Sequence, residues 1–347
     1  MNTPPERSRV RLPDISSRAY EHPADRSALV ALRKLTGFDV ILRNLAGLFN
    51  DRALRLFFLS SSVRVNEQQF PHIHQMVLDG AYILDLPTVP ELYVLQDPEV
   101  NAMAIGKDKP FIVLTTGMVN LMDEDELRAV VGHELGHVLS GHAVYRTMLY
   151  YLLALASRLA LNPIAWVGLR AVIWALEEWY RKSELSCDRA GLLACQDVPA
   201  ARRVLMKMAG GPYLADLSAD AFHEQAREYD AVPDVRESLI KLLQLQGTTH
   251  PFAVVRFAEL DRWASEGEYN DILAGRYPRR EQDRDTSVGD EFKSAAKSYQ
   301  DSWNRSADPL IGAVRGVAGS AVGAGERIMN RFSRRDDSNG EDSGSDS

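Results

Sequence analysis

Two histidines stand four residues apart in the stretch VVGHELGHVLSGH, residues 130–142, and a glutamate directly follows the first. On a helix, positions i and i+4 share one face with Cβ atoms about 5–6 Å apart, so the imidazoles of His133 and His137 can reach one tetrahedral ion. Glu134 lies where a carboxylate can touch a water on that ion without being a ligand. The spacing therefore predicts a zinc site with Glu134 as general base.

A helix is indicated around this motif by the residues that precede it. Asp123 is a candidate N-cap with Glu126 as its capping-box partner, and acidic residues fill the first turn, where the helix dipole favours them. Apolar residues then recur at helical spacing up to Leu139, which predicts one core face. Gly132 and Gly136 each lower helix propensity by up to about 1 kcal/mol, which favours the close approach of another element.

Two histidines leave the ion undercoordinated, so a third protein ligand is required, and a catalytic site keeps a fourth position for water. Glu184 and Asp188 stand four apart in RKSELSCDRAGL, and an Asp one turn after a Glu ligand can accept the proton of a metal-bound imidazole. Glu177 and Glu178 compete as ligands, but Arg181 follows them at helical spacing and favours a solvated face.

His142 is a further histidine close to the motif. A third histidine ligand in a three-histidine zinc motif follows six residues after the second, and His142 is one residue short of that position. On a continuous helix it points away from His137. We expect it at the surface or behind a ligand.

These motifs resemble a known family. H-E-L-G-H at 133–137, followed by R-x-x-E-x-x-x-D at 181–188, is similar to the HtpX and type I CaaX prenyl protease family of gluzincin metallopeptidases. The likeness extends over roughly residues 65–260 through three more stretches: NAMAIG at 101–106, PFIVLTTGMVNLMDEDEL at 110–127, and THP with Arg256 six residues after His250.

The resemblance implies a role for each matching residue. It implies one Zn²⁺ per chain bound by His133, His137 and Glu184, with Glu134 as the general base. Behind the ligands it implies Asp188, as the partner of a ligand histidine, and Arg256.

Two weaker catalytic candidates, His250 and Asn101, would hold the substrate carbonyl or the peptide backbone, where one donor contributes on the order of 3 kcal/mol. The alternative for both is an ordinary turn residue.

The resemblance also implies a mainly helical α+β fold, with a zincin catalytic domain and a small β-sheet beside the active-site helix. Residues 111–115 are predicted to form a strand, and the edge strand beside that helix pairs with extended substrate in zincins.

Composition fits a soluble enzyme, with 45% hydrophobic and 25% charged residues. The net charge of −8 disfavours nucleic acid as a partner. Cys187 and Cys195 lie about 12 Å apart along one predicted helix, too far for a disulfide, which suits a reducing compartment. The N-terminus has no apolar core typical of a secretory signal, so the expected location is cytoplasmic.

Four regions are predicted along the chain. They are a flexible N-terminal segment (1–22), a zinc metallopeptidase domain (23–275) with an apolar helical hairpin insert (143–180), a C-terminal helical segment (287–333) and a disordered acidic tail (334–347). In the hairpin, Arg158 and Arg170 limit the uncharged runs to 11 residues, against about 20 needed to cross a bilayer. We expect the hairpin to be buried, with peripheral contact at the inner face of the membrane as the open alternative.

The expected function is that of a zinc-dependent metalloendopeptidase, which hydrolyses peptide bonds of protein or peptide substrates with zinc-activated water and a glutamate base. The resemblance suggests a setting in protein quality control. The rival hypothesis is a non-catalytic zinc-stabilised scaffold or a membrane-docking adaptor. The presence of Glu134 argues against the rival, because a structural site needs four closing ligands and no base. No residue pattern predicts the oligomeric state.

Overall fold

Helices dominate the fold, and one small sheet accompanies them, which confirms the mainly helical α+β prediction. The computed structural model describes residues 8–33, 51–158, 163–231 and 252–283. His250 and the segments 287–333 and 334–347 therefore lie outside the described residues. The elements in chain order are α1 (Pro23–Arg33), α2 (Asp51–Ser61), β1 (Val63–Arg64), α3 (Pro71–Ile83), β2 (Leu92–Leu95), β3 (Ala102–Ile105), β4 (Phe111–Thr115), α4 (Thr116–Leu121), α5 (Glu124–Leu139), α6 (His142–Arg158), α7 (Pro163–Cys195), α8 (Val198–Gly210), α9 (Ala219–Asp230), α10 (Ala253–Ser265), α11 (Glu268–Leu273) and α12 (Arg280–Asp283).

The sheet has the strand order β1-β2-β4-β3. β2 and β4 are parallel, whereas β1 and β3 pair antiparallel with their neighbours. All five residues of β4 are buried, as its central position requires. The predicted strand at 111–115 is thus confirmed, but it is not an edge strand. Among the described strands, the edge beside the motif helix α5 is β3, in which Ala102 pairs with Leu114 and Ile105 with Phe111.

Helix α5 begins with the predicted capping box. The Asp123 carboxylate accepts from the Glu126 N–H (2.9 Å), and the Glu126 carboxylate accepts from the Asp123 N–H (2.8 Å). The expectation of a single core face is wrong, because nearly every residue from 126 to 137 is buried. The physical reason is that α5 lies inside the molecule, packed against α3, α7, α8 and β3.

The glycines of α5 allow α7 to approach closely, as the sequence predicts. A Cβ on Gly132 would lie 2.4 Å from the Cβ of Ala194, and one on Gly136 would lie 2.5 Å from the Cβ of Ala190. From the opposite side, a Cβ on Gly191 would lie 2.7 Å from the Ala129 carbonyl oxygen. We call this contact between α5 and α7 the glycine seam. It brings the histidine motif against the helix that carries the predicted third ligand.

The N-terminal residues depart from expectation. Residues 1–22 are expected to be flexible, yet Leu12, Ile15 and Tyr20 are fully buried in the main core. The Ser16 hydroxyl also donates to the carboxylate of Asp283 (2.8 Å), near the other end of the described chain. Burial of these three side chains is enough to anchor the segment. The prediction of flexibility was wrong because it rested on the mean composition of the segment, which does not register three separate large side chains.

The apolar hairpin insert is formed by α6 and the first part of α7. At its base, Met148 and Leu152 pack against Ile173 and Leu176, together with Leu32 of α1. Burial of the hairpin is therefore observed at this end. In the described chain, no helix combines the length and the apolar character that a membrane span requires.

We predict that Gly132→Ala lowers the free energy of unfolding by about 1–3 kcal/mol, because the new methyl group would overlap Ala194 in the glycine seam. Alanine is the better helix former by about 1 kcal/mol, so the sign of the effect separates packing from helix propensity. Chemical denaturation measures it. The control is Gly210→Ala, where the added Cβ meets only the flexible side chain of Leu217. If Gly132→Ala and the parent chain are equally stable, α5 and α7 do not pack as closely as the glycine seam requires.

Candidate metal centre

Three side chains from α5 and α7 converge on one point. The Nε2 atoms of His133 and His137 lie 3.2 Å apart. The Glu184 carboxylate reaches both, with Oε2 3.5 Å from Nε2 of His133 and Oε1 3.2 Å from Nε2 of His137. Ligands at about 2.0–2.1 Å from a tetrahedral ion are separated from one another by about 3.3–3.4 Å. The two nitrogen atoms and the two carboxylate oxygens therefore have spacings close to those between ligands around a zinc-sized cation.

The chemistry of the donor atoms also fits a cation. Nδ1 of His133 lies 3.1 Å from Oδ1 of Asp188, which places the ring proton on Nδ1 and leaves a lone pair on Nε2. That lone pair faces the Glu184 carboxylate, and all three side chains are buried. Buried lone pairs that face one another repel unless a proton or a metal ion lies between them. His133, His137 and Glu184 are thus able to hold a divalent metal.

Arg256 of α10 fixes the two acidic side chains of α7. Its Nε and one terminal nitrogen contact the two oxygens of Asp188 at 2.7 and 2.6 Å, and the other terminal nitrogen lies 3.1 Å from Oε2 of Glu184. Burial opposes ionisation of Asp188, but the charge and hydrogen bonds of Arg256 hold its pKa below the ordinary value. The structure thus places Asp188 against His133, and Arg256 against Asp188 and Glu184.

The pKa values of the two candidate histidine ligands differ. Burial favours the neutral imidazole in both, and it lowers the pKa of His137 to about 4. In His133 the effect of burial is outweighed by hydrogen bonds to Asp188 and Glu184, which raise the pKa to about 9. The acidic groups therefore attract positive charge to this point, and a bound cation would replace the charge that a proton on His133 supplies.

Glu134 lies next to the ligand cluster and is fully buried. Neither of its carboxylate oxygens has a hydrogen-bond partner within the described part of the chain. It lines a cavity together with His133, Asp188, Ala102 and other residues. A buried carboxylate without partners is costly, and its position at a cavity wall allows it to accept from a molecule that enters the cavity.

Asn101 is buried directly before β3. Its backbone N–H donates to the Thr115 hydroxyl and its carbonyl accepts from the Thr115 N–H, each at 3.0 Å. The next residue, Ala102, lines the cavity with Glu134. The structure therefore places Asn101 where it anchors the edge strand beside the site.

His142 does not point away from His137. Its ring is buried, and its Nδ1 lies 3.3 Å from Nδ1 of His137. The predicted direction is wrong because the helix is not continuous: α5 ends at Leu139, Gly141 adopts a positive φ of 72°, and α6 begins at His142. Of the two expected places, the structure shows the one behind a candidate ligand. The turn carries the His142 side chain back onto the ring of His137.

Sequence reasoning did not identify Tyr180 and Arg146. The Tyr180 ring is stacked on His137, with centroids 5.6 Å apart and an interplanar angle of 11°. The Arg146 guanidinium lies over the Tyr180 ring, donates to its hydroxyl and also reaches the Ala102 carbonyl oxygen (3.5 Å). Tyr180 could have been found, because it precedes Glu184 by four residues and so shares its helix face.

Comparison with known proteins supports a metallopeptidase. The profile named Peptidase family M48 matches residues 67–264. Plastoglobule-localized metallopeptidase 48, chloroplastic, of Arabidopsis thaliana is 36% identical over 269 residues, which are 75% of this chain and 76% of that protein. A Protease HtpX homolog of Ralstonia pickettii (strain 12J) is 28% identical over 249 residues, 64% of this chain and 83% of that protein. No solved structure matches the chain.

The chain buries two histidines and one glutamate that could bind a metal ion, with a further carboxylate beside them. Together with the comparisons, this site places the chain in the class of metal-dependent proteases. The chain belongs to peptidase family M48. The resemblance stated from the sequence is thus confirmed, and protein or peptide substrates follow from it.

We predict that Glu184→Ala lowers zinc affinity by on the order of 100-fold or more, because only Glu184 completes the candidate coordination shell. The matched control is Glu178→Ala, which removes the same group one to two turns earlier, where it pairs with Arg181 and Lys182. Competition with a chromophoric chelator measures both. If the two variants bind zinc alike, the third ligand lies elsewhere.

Proposed function

We propose that this protease is a zinc-dependent endopeptidase, with His133, His137 and Glu184 as ligands and Glu134 as the general base. One observation carries the proposal: three ligand atoms converge beside a buried carboxylate that has no hydrogen-bond partner among the described residues. Two histidines and one glutamate with an open fourth position form a ligand set used by catalytic zinc.

The protein's own groups divide the chemistry between them. Zinc bound at this site would polarise the scissile carbonyl and lower the pKa of water toward about 7. Glu134 takes the proton from the attacking water and passes it to the leaving amine. Asp188 holds the tautomer of His133, and Arg256 keeps Asp188 ionised and holds Glu184 in place. Burial of all these groups keeps bulk water from screening their charges.

We propose that extended peptide substrate pairs with β3. Two observations support this proposal. Among the described strands, β3 lies at the edge of the sheet, and its residue Ala102 lines the same cavity as Glu134. At this edge, Arg146 contacts the Ala102 carbonyl oxygen. Asn101 would act here by fixing the start of β3. Unfolded proteins are the proposed substrates, in protein quality control.

We predict that Glu134→Gln binds zinc within a few-fold of the parent chain but loses about 10²–10⁴-fold in turnover, because the amide cannot accept the proton. Zinc content and cleavage of casein or another unfolded protein are measured on the same samples. The matched control is Glu178→Gln, which should cleave normally. Lost zinc binding would make Glu134 a ligand, and retained turnover would show that another group is the base. A parent chain that binds zinc but cleaves no substrate would favour the scaffold hypothesis.

We also propose a cytoplasmic location with any membrane contact peripheral, through the hairpin surface that exposes Tyr150 and Leu153 and through the basic stretch 309–332, which lies outside the described residues. Electrostatic attachment weakens as salt screens it. High salt or carbonate is therefore predicted to release the protein from washed membranes, with an integral membrane protein of the same fraction as control. Retention in the pellet until detergent is added would show that the hairpin inserts.

A further inference from the structure

A second set of buried polar groups lies behind His137, on the side away from the candidate metal. Nδ1 of His142 is 3.3 Å from Nδ1 of His137 and 3.5 Å from the Cys187 sulfur. Nε2 of His142 lies 3.5 Å from Oδ2 of Asp25, a fully buried carboxylate on α1. Asp25 stands outside the residues that match the family profile, 67–264.

The positions of the ring protons follow from this geometry. If Nε2 of His137 offers its lone pair to the metal, the neutral ring carries its proton on Nδ1. That proton can only be shared with a neighbour that accepts, so Nδ1 of His142 is the acceptor at 3.3 Å. The proton of His142 then lies on Nε2, which faces the Asp25 carboxylate. This arrangement of ring protons gives one donor and one acceptor to each contact from His137 through His142 to Asp25.

Asp25 is itself held in place by α7. The Ser186 hydroxyl donates to Oδ2 of Asp25 at 2.6 Å, and the same hydroxyl accepts from the backbone N–H of His22 at 2.9 Å. Ser186 lies two residues after Glu184 on α7, and α1 packs along that helix. The N-terminal helix is therefore joined to the helix that carries the acidic candidate ligand.

We propose that His142 is a positioning residue that fixes the tautomer and orientation of His137, and that Asp25 in turn holds His142. The N-terminal helix α1 is then part of the metal centre. The proposal rests on the proposed function, because it requires His137 to be a metal ligand. His133 and His137 would be oriented by different means: His133 directly by Asp188, and His137 through His142 by a carboxylate from α1.

The same atoms allow one rival arrangement, in which His137, His142 and Cys187 bind a second, soft cation. That arrangement needs the lone pair of Nδ1 of His137, so a neutral His137 cannot serve both ions. This competition for one lone pair favours the positioning role.

The test compares two substitutions of similar size in the full-length chain. In His142→Asn, the amide oxygen takes the place of Nδ1 and can still accept from His137, whereas His142→Leu offers no acceptor. We expect His142→Leu to lower zinc affinity by about 10–100-fold and His142→Asn to stay within a few-fold of the parent chain. Asp25→Asn is expected to fall between them. Zn²⁺ is the probe, titrated against a chromophoric chelator, and thermal unfolding without zinc reports the stability of each variant.

The controls separate the possible failures. His72→Leu repeats the substitution at an exposed position and should bind zinc normally. If His142→Leu does not fold, His142→Gln replaces it, because its amide oxygen reaches the position of Nε2 and not that of Nδ1. Equal affinities of the Asn variant and the acceptor-free variant would overturn the positioning role. So would a second zinc equivalent that is lost in Cys187→Ser. A parent chain that binds no zinc would instead refute the proposed function.

Discussion

The close packing of α5 against α7 is the constraint on which the rest of the site depends. Two glycines of α5 face alanines of α7 at distances that no larger residue would permit, and Gly191 repeats this from the other side. At this separation, side chains of ordinary length from both helices meet at one point. The three candidate ligands come from these two helices alone, so an increase in their spacing would separate the nitrogen atoms from the carboxylate.

Charge is the second requirement, since the seam buries acidic groups that would be unstable alone. Arg256 contacts both Asp188 and Glu184, and the positive charge of a metal ion would compensate the remainder. Glu134 is the exception, because it is buried without a hydrogen-bond partner in the described structure. A residue left in this costly state at the wall of a cavity is better explained by chemistry than by stability.

Much of the site could be predicted because its signals are local. The spacing of His133 and His137, and that of Glu184 and Asp188, follow from the helical repeat alone, and the capping box fixes where α5 begins. The expectations that were wrong concern residues whose positions depend on contacts distant in sequence or on a turn of the chain. His142 turns inward because the chain reverses at Gly141, and no helical repeat applies across a turn. Leu12 and Ile15 belong to the same buried cluster as residues up to Ile272, and the composition of the N-terminal segment does not predict such long-range contacts.

The central claim is that two histidines of α5 and one glutamate of α7 hold a single zinc ion, with no contribution from the nearby cysteine. X-ray absorption at the zinc edge tests it directly on the full-length chain loaded with one equivalent of zinc. The account predicts nitrogen and oxygen neighbours at about 2.0–2.1 Å, with the signature of two imidazoles and no sulfur. A sulfur neighbour at about 2.3 Å would contradict it, because the ion would then lie on the other side of His137, beside Cys187.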